Sequence, residues 1–266
     1  MGNAIAQQLQ GDVVFVIDES GSMGDEITAV KNNVGYIFNY LQSHGDFKVG
    51  LVGFGATFSP NPNNPRVVCQ LTDDSTTFTN CLDSIVPTGG YQPGFDAIVL
   101  ATNQTALGLR GVASCVILIT DEDADPGVNN KTDAVNALDS VPAYFIGIFD
   151  PQWGSAQNDY GTPNGVAGLV ATGGTQVNLA DFNSDPTGTL NIILNNCTQA
   201  LQNVTTQCND GIDNDGDGLI DYPNDPGCSS PQDNNEYNVP PSVPEFSPIA
   251  VAALGLFGAV VLLRRK

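Results

Sequence analysis

Short unbroken apolar runs, Val13 to Ile17, Val49 to Phe54, Cys115 to Ile119 and Tyr144 to Phe149, constrain the fold more than any other feature of this 266-residue chain. None alternates apolar with polar positions, so each predicts a strand buried on both faces, as in a parallel sheet covered by helices on either side. Helical periodicity fills the intervals. Ile27, Val30, Val34, Ile37, Phe38 and Leu41 share one face of a helix that should stop near Gly45. The same pattern predicts helices over about 95–109, 132–138 and 165–171, with a closing helix over 186–202. Arg66 to Leu71 reads as an edge strand and Thr175 to Leu179 as the last one. Strand and helix in alternation specify the α/β class, with a doubly wound, mostly parallel sheet flanked by helices, and ligands of such sheets sit beyond the carboxyl ends of the strands.

Asp18 stands at such an end. The stretch Asp18-Glu19-Ser20-Gly21-Ser22-Met23 follows the first run directly and puts one carboxylate and two hydroxyls on alternate residues. A sharp turn there would aim these oxygens at one point, and hard cations such as Mg²⁺ take oxygen ligands while keeping waters or substrate oxygens in the remaining positions. Asp and Ser also form turns and helix caps without any metal. A distant carboxylate decides between the two readings. Asp121 follows the third run and opens the acidic loop Asp121-Glu122-Asp123-Ala124-Asp125, so two carboxylates at the ends of neighbouring strands can approach one cation.

Composition narrows the function classes. Eight Lys and Arg against 29 Asp and Glu give a net charge of −21, which excludes electrostatic attraction to nucleic acid or anionic lipid. The single histidine, His44, falls in the last turn of the first helix, away from any nucleophile, so neither a Ser-His-Asp hydrolase nor a zinc peptidase is supported and no enzyme is expected. The cysteines, six in number, form no CxxC pair and suggest disulfides in an oxidising compartment. Nearest-neighbour pairing would join Cys69 to Cys81, Cys115 to Cys197 and Cys208 to Cys228; a buried free thiol is the alternative for Cys115. Glycosylation sequons at Asn103, Asn130, Asn196 and Asn203 agree with an exterior location. Asp150 and Trp153 fall in the loop after the last of the four runs, where they either line a binding face or serve as ordinary loop residues.

The flanks differ in character. Residues 1–10 lack the basic start and apolar core of an export signal, yet Ala4-Ile5-Ala6 before Gln7 is similar to the small-residue end of one, so they are expected to be its remnant or an N-terminal arm. Beyond the closing helix, Asp213, Asp215, Asp217 and Asp221 fall at positions 1, 3, 5 and 9 of an EF-hand-like loop, with Gly218 at the turn. Position 12 is Asn224, with Asp225 next, so the bidentate Glu is missing. This cysteine-bracketed form resembles a thrombospondin type 3 repeat, which implies that Ca²⁺ folds it; a disordered acidic linker is the alternative. Residues 237–245 form a Pro-rich spacer. Phe246 to Leu263 is apolar and ends in Arg264-Arg265-Lys266, which predicts an apolar helix with its basic end in the cytoplasm, or a processed tail. The order Pro244-Glu245-Phe246, apolar segment, basic end resembles the PEF-CTERM sorting tails of archaeal surface proteins, which implies cleavage by an archaeosortase and replacement by a lipid anchor. The expected organisation is therefore an arm over 1–10, an α/β domain over 11–203, an acidic calcium-binding module over 204–236, a linker over 237–245 and a sorting or transmembrane segment over 246–266.

Residues 12 to about 200 resemble a von Willebrand factor A domain. The resemblance implies a metal-ion-dependent adhesion site built from Asp18, Ser20 and Ser22 in the first loop, Asp121 after the fourth strand and an oxygen from a middle loop. Gly89 to Ile98 is similar to that middle loop and puts Gln92 where the family usually offers Thr, or Glu in integrin β-type members; an amide oxygen can ligate a hard cation but supplies no charge. Thr88 is the fallback. The integrin β-type comparison also raises Asp25 and Glu26 as an adjacent Ca²⁺ site, although acidic residues in a first helical turn, Asp96 included, favour the macrodipole without any metal. The implied function is that of an exported, surface-anchored binding protein. Its cation, Mg²⁺ or else Mn²⁺ or Ca²⁺, would leave a position open for an acidic side chain of a protein partner. The alternative is a component of a cell-surface coat or filament, stabilised by calcium and disulfides.

Overall fold

The computed structural model describes residues 9–56, 65–141, 143–161, 169, 174–202, 207–209, 213–229, 233 and 235–237. Along the chain run β1 (Leu9–Asp18), α1 (Gly24–Asn32), α2 (Val34–His44), β2 (Gly45–Phe54), β3 (Arg66–Thr72), α3 (Ser75–Asp83), α4 (Gly94–Ala101) and α5 (Gln104–Leu107). They are followed by β4 (Ser114–Ile119), α6 (Lys131–Ser140), β5 (Ala143–Phe149), α7 (Ala156–Asp159), β6 (Thr175–Asn178), α8 (Leu179–Ser184) and α9 (Pro186–Gln202).

The strands form one six-stranded sheet in the order β3-β2-β1-β4-β5-β6. Every pairing is parallel except that of β2 with the edge strand β3. The chain winds outward from β1 in one direction and from β4 in the other, so the order reverses between these two strands. A crevice opens at the carboxyl ends of strands where the order reverses, and Asp18 and Asp121 stand on its two sides.

Alternation within the buried strands divides the core into two layers. Val13, Phe15 and Ile17 face one side and pack with Ile27, Ile37, Leu41, Phe78, Phe182 and Ile193 from α1, α2, α3, α8 and α9. Val14 and Val16 face the other and pack with Ala97, Ile98, Leu107, Leu138 and Tyr160. Both faces of β1 are thus closed to water from Val13 to Ile17, and Asp18 is the first polar side chain after that run.

Two helices expected as single rods are broken. The first divides at Asn33, whose side-chain nitrogen donates to Ala29 O at 2.8 Å while its own backbone leaves helical geometry (φ −107°, ψ 6°). The second divides after Ala101, because the side chain of Asn103 caps the next helix by accepting from Ala106 N at 3.0 Å. Asn competes for backbone hydrogen bonds and favours caps over helix interiors. Helix α3, not anticipated by periodicity, starts at an Asp74 cap that accepts from Thr76 N and Thr77 N. The helix expected over 165–171, apart from Leu169, and the apolar segment 246–266 lie outside the described residues, among which no helix is long and apolar enough to cross a membrane.

The cysteines pair as nearest neighbours: Cys69 with Cys81, Cys115 with Cys197 and Cys208 with Cys228. The second bond runs through the core and ties β4 to α9. At the amino ends of the strands, Arg110 donates to Asp12 Oδ1 at 2.7 Å and to Asp46 Oδ2 at 2.9 Å, fastening β1 to β2. The acidic module joins this same pole, where Val112 forms an antiparallel bridge with Asp233.

Candidate metal centre

The end of β1 folds back on itself. Asp18 is fully buried; its Oδ1 accepts from Ser20 N at 2.7 Å and its Oδ2 accepts from Thr120 Oγ1 at 2.8 Å. The turn brings Ser20 Oγ to 3.1 Å from Ser22 Oγ. Asp121 follows Thr120 at the neighbouring strand end, and its Oδ1 is buried with no hydrogen-bond partner among the described residues. Thr120 had no distinguishing mark in the sequence beyond its place before Asp121.

The middle loop hangs on this turn by its backbone. Thr88 N and Gly89 N donate to Glu19 O at 3.0 and 3.1 Å, and Gly21 N donates to Gly89 O at 3.1 Å. Gly89 is required here because a Cβ would overlap the Gly55 carbonyl oxygen. Gln92 is buried against Gly55, beside Asp18, but its amide turns to the acidic loop. With its nitrogen facing the carboxylates, the orientation that satisfies both ends of the amide, it donates to Glu122 Oε2 at 3.0 Å and Asp125 Oδ2 at 3.1 Å. Backbone bonds reinforce the tie: Gln92 N donates to Asp125 Oδ2 at 2.8 Å and Asp125 N to Gln92 O at 2.9 Å. Thr88 is exposed, with its hydroxyl directed to Val86 O at 3.4 Å.

Glu19, the residue between Asp18 and Ser20, is also fully buried and pairs with Arg66 of the edge strand β3. Gly53 makes room for it, since a Cβ there would overlap Glu19 Oε1. Burial pushes the Glu19 carboxyl up, and the Arg66 guanidinium works against that shift.

Negative charge concentrates at the site. Burial above all, with the Asp121 charge adding to it, pushes the Asp18 carboxyl up to about 7, against the hydrogen bonds from Ser20 and Thr120. Burial and the charges of Asp121, Asp125 and Asp123 push Glu122 up as well. The hydroxyl of Tyr160 is buried without a hydrogen-bond partner among the described residues, packed where a Cβ on Gly94 would overlap it. Among the described residues no Lys or Arg forms an ion pair with Asp18 or with any carboxylate from Asp121 to Asp125. An all-oxygen donor set, an orphaned buried carboxylate oxygen and uncompensated negative charge fit a hard divalent cation.

Other acidic residues divide by role. Asp25 is exposed, while Glu26 turns inward and accepts from Asn183 Nδ2 at 2.7 Å. Asp96 is buried; it accepts from Val128 N at 2.9 Å and from Asn129 N and Nδ2 at 2.5 and 2.8 Å, anchoring the far end of the acidic loop to α4. His44 is exposed at the end of α2, at the pole of the sheet opposite Asp18, with Nδ1 at 2.8 Å from Tyr40 O.

In the acidic module, carboxylate oxygens of Asp213, Asp215 and Asp217 lie within 4.8 Å of one another. Asp213 accepts from Gly216 N at 2.8 Å and Gly218 N at 3.0 Å, and both glycines have positive φ, of 78° and 93°. Asp221 and Asp225 stand apart from this triad. Asp225 groups with Glu236, which is fully buried and accepts from Asn214 N at 2.6 Å and Asp221 N at 3.0 Å. Cys228 lies beside them but is held in its disulfide. Glu236 was not singled out in the sequence, because it lies beyond the cysteine bracket and returns to the loop only in the fold.

Comparison with known proteins follows the fold. Residues 12–164 match the von Willebrand factor type A domain. Two crystal forms of proximal thread matrix protein 1 from the mussel byssus match with TM-scores of 0.51 and 0.52 at 15% identity, over 73% and 71% of this chain. The chain spans about half the length of those proteins, 47% and 49%. The conserved hypothetical protein BatB from Bacteroides thetaiotaomicron matches at 19% identity with a TM-score of 0.45, over 69% of this chain and 98% of its own. Comparison with curated protein sequences finds no match.

Proposed function

Because the chain belongs to the von Willebrand factor type A domain family, whose members mediate contacts between proteins, we propose that it is a cell-surface adhesion or protein-binding protein that works through a divalent cation. Asp18, Ser20, Ser22 and Asp121 hold the cation, Mg²⁺ or else Mn²⁺ or Ca²⁺, with Gln92 as the middle-loop member of the site. Few charged ligands leave such a cation electron-poor, so a carboxylate from a partner protein completes its coordination. The observation that carries this reading is the meeting of Asp18, Ser20 and Ser22 beside a buried, unpartnered oxygen of Asp121. Asp18→Ala should abolish Mg²⁺-dependent capture of partners from the native cell envelope while the fold survives by circular dichroism; undiminished capture would refute the site.

The acidic module is the second cation site of this proposal, taking Ca²⁺ through Asp213, Asp215 and Asp217, with Glu236 bracing the loop. Calorimetry on the full-length Asp18→Ala protein should show Ca²⁺ binding at millimolar concentration or below; no heat above that of dilution sinks the idea. Three disulfides suit an exterior setting. Surface anchoring through 246–266 belongs to the proposal too, and an intact mass that retains Arg264 to Lys266 would exclude its processing. We assign no catalysis: the one histidine sits at the far pole, and the candidate site lacks a nucleophile with a supporting base. The coat or filament reading draws on the disulfides and the acidic module, and Ca²⁺-dependent self-association indifferent to Asp18→Ala would favour it.

A further inference from the structure

The fold treats the glycosylation sequons unequally. Asn103 and Asn130 are exposed, and so are Thr105 and Thr132, the hydroxyl residues two places on. Each asparagine engages only its oxygen: Asn103 Oδ1 accepts from Ala106 N at 3.0 Å, and Asn130 Oδ1 accepts from Thr132 N at 2.8 Å and Asp133 N at 3.3 Å. Among the described residues neither Nδ2 has a hydrogen-bond partner, which leaves both amide nitrogens to water. Asn196 is set otherwise. It lies inside α9, followed by Cys197 in the core disulfide and by Thr198, which is buried and donates its hydroxyl to Asn195 O at 3.1 Å. That sequon cannot be drawn out without unwinding the helix, and Asn203 lies outside the described residues.

The two open sequons flank one apolar groove. Val99, Leu100 and Val128 line it together with Asn103 and with Asn129, the neighbour of Asn130. Val128 is 91% exposed, more than any other large apolar side chain among the described residues. A single exposed valine needs no explanation, but three apolar side chains meeting in a concave surface mark a place that something covers. A sugar chain suits it, because the C–H faces of the rings lie on apolar side chains while the hydroxyls stay in water. We propose that Asn103 and Asn130 carry N-linked oligosaccharides, that Asn196 does not, and that the Asn103 oligosaccharide covers the groove beside it. The donor is an oligosaccharide carried on a lipid phosphate. Asn Nδ2 attacks the anomeric carbon of the first sugar: the C–N bond forms, the C–O bond to phosphate breaks, the lipid phosphate leaves with the bonding electrons and Nδ2 gives up one proton. The product amide keeps its carbonyl oxygen, so the bonds from Ala106 N, Thr132 N and Asp133 N survive the transfer. The proposal shares the exterior location with the proposed function and is independent of the cation site.

The test uses the full chain purified from its native cells. Peptide mass spectrometry should find sugar on the peptides that hold Asn103 and Asn130 and none on the peptide that holds Asn196. Thr105→Ala destroys one sequon without touching the amide bonds of Asn103; it should remove one oligosaccharide from the intact mass and raise binding of the neutral apolar dye Nile red about twofold. Val128→Ser added to that variant should return dye binding to near the parent level. Bare Asn103 or Asn130, or sugar on Asn196, overturns the assignment and leaves the cation reading of Asp18 standing. Unchanged dye binding in Thr105→Ala after loss of its sugar overturns the covering of the groove. A protein bare at Asn103 that dimerises until Val128→Ser is introduced would put a second copy on the groove, and that result overturns the proposal as well.

Discussion

Thr120 Oγ1 donates to Asp18 Oδ2 at 2.8 Å, so one candidate cation ligand is oriented by the residue that immediately precedes another. The bond spans the boundary between β1 and β4, where the strand order reverses. It also spends one oxygen of Asp18 on orientation, while the other takes the Ser20 amide at 2.7 Å. Partners that orient a ligand commonly change metal affinity by about 10- to 100-fold when removed. Thr120→Val keeps the shape and deletes the donor, and should weaken Mn²⁺ binding by about tenfold or more; Thr120→Ser should restore most of it. Titration followed by electron paramagnetic resonance measures both, and equal affinities in Thr120→Val and the parent protein would count against this role.

The state of Asp18 sets a pH dependence. Its folded pKa, about 7, lies above the ordinary value of 3.8, so between those values the folded protein binds a proton that the unfolded chain does not. Stability of the metal-free protein from this group is therefore fully present below about pH 4 and is lost as pH rises through about 7. In EDTA, the parent protein should lose melting temperature relative to Asp18→Asn across that window. Cation binding needs the carboxylate, so Mg²⁺ affinity should rise about tenfold per pH unit toward 7 and then level off. A melting difference independent of pH would contradict the assignment.

Gly89 has no room for a side chain, since a Cβ would overlap the backbone oxygen of Gly55. Gly21, on the facing turn, has its nearest such neighbour at 4.0 Å, the Gly89 oxygen. Gly89→Ala should then cost about 1–3 kcal/mol in urea melts and displace the middle loop enough to impair Mg²⁺-dependent binding. Gly21→Ala should stay within about 0.5 kcal/mol of the parent. Equal costs for the two would mean that the loop yields freely.

Arg66 answers a carboxylate that the fold has removed from water. Arg66→Ala strands the Glu19 charge and should destabilise by about 3 kcal/mol, whereas Glu19→Gln with Arg66→Met should recover most of that loss. Denaturant midpoints for the single and double variants decide the point; additive losses would show that the pair is not coupled.

Legibility in the sequence followed the range of the forces involved. The central strands could be read from runs such as Val13 to Ile17, because burial on both faces leaves no polar position to confuse the pattern. Asp18 and Asp121 could be read as strand ends for the same reason. The breaks at Asn33 and Asn103 could not be read from periodicity, since apolar spacing continues across both; the asparagines themselves were the signal. Gln92 was placed correctly in the middle loop, but its direction depends on Glu122 and Asp125, which reach it only across the fold. Asp96 and Glu26 looked like ordinary first-turn acids, and their burial against Asn129 and Asn183 depends on a loop and a helix far along the chain. Thr120 at a strand end is an ordinary β residue until Asp18 is seen beside it.

The disulfide between Cys115 and Cys197 has a mechanical consequence. Held at its two ends and pulled, the chain transmits force from β1 through Cys115 directly into α9, and the 82-residue interval between the two cysteines carries none of it. At about 3.5 Å per extended residue that interval withholds roughly 290 Å of slack. Asp121 lies inside the sheltered interval, and Asp18 lies on the stretch that bears the load. A cation between them would act as a clasp joining a tensioned segment to a slack one.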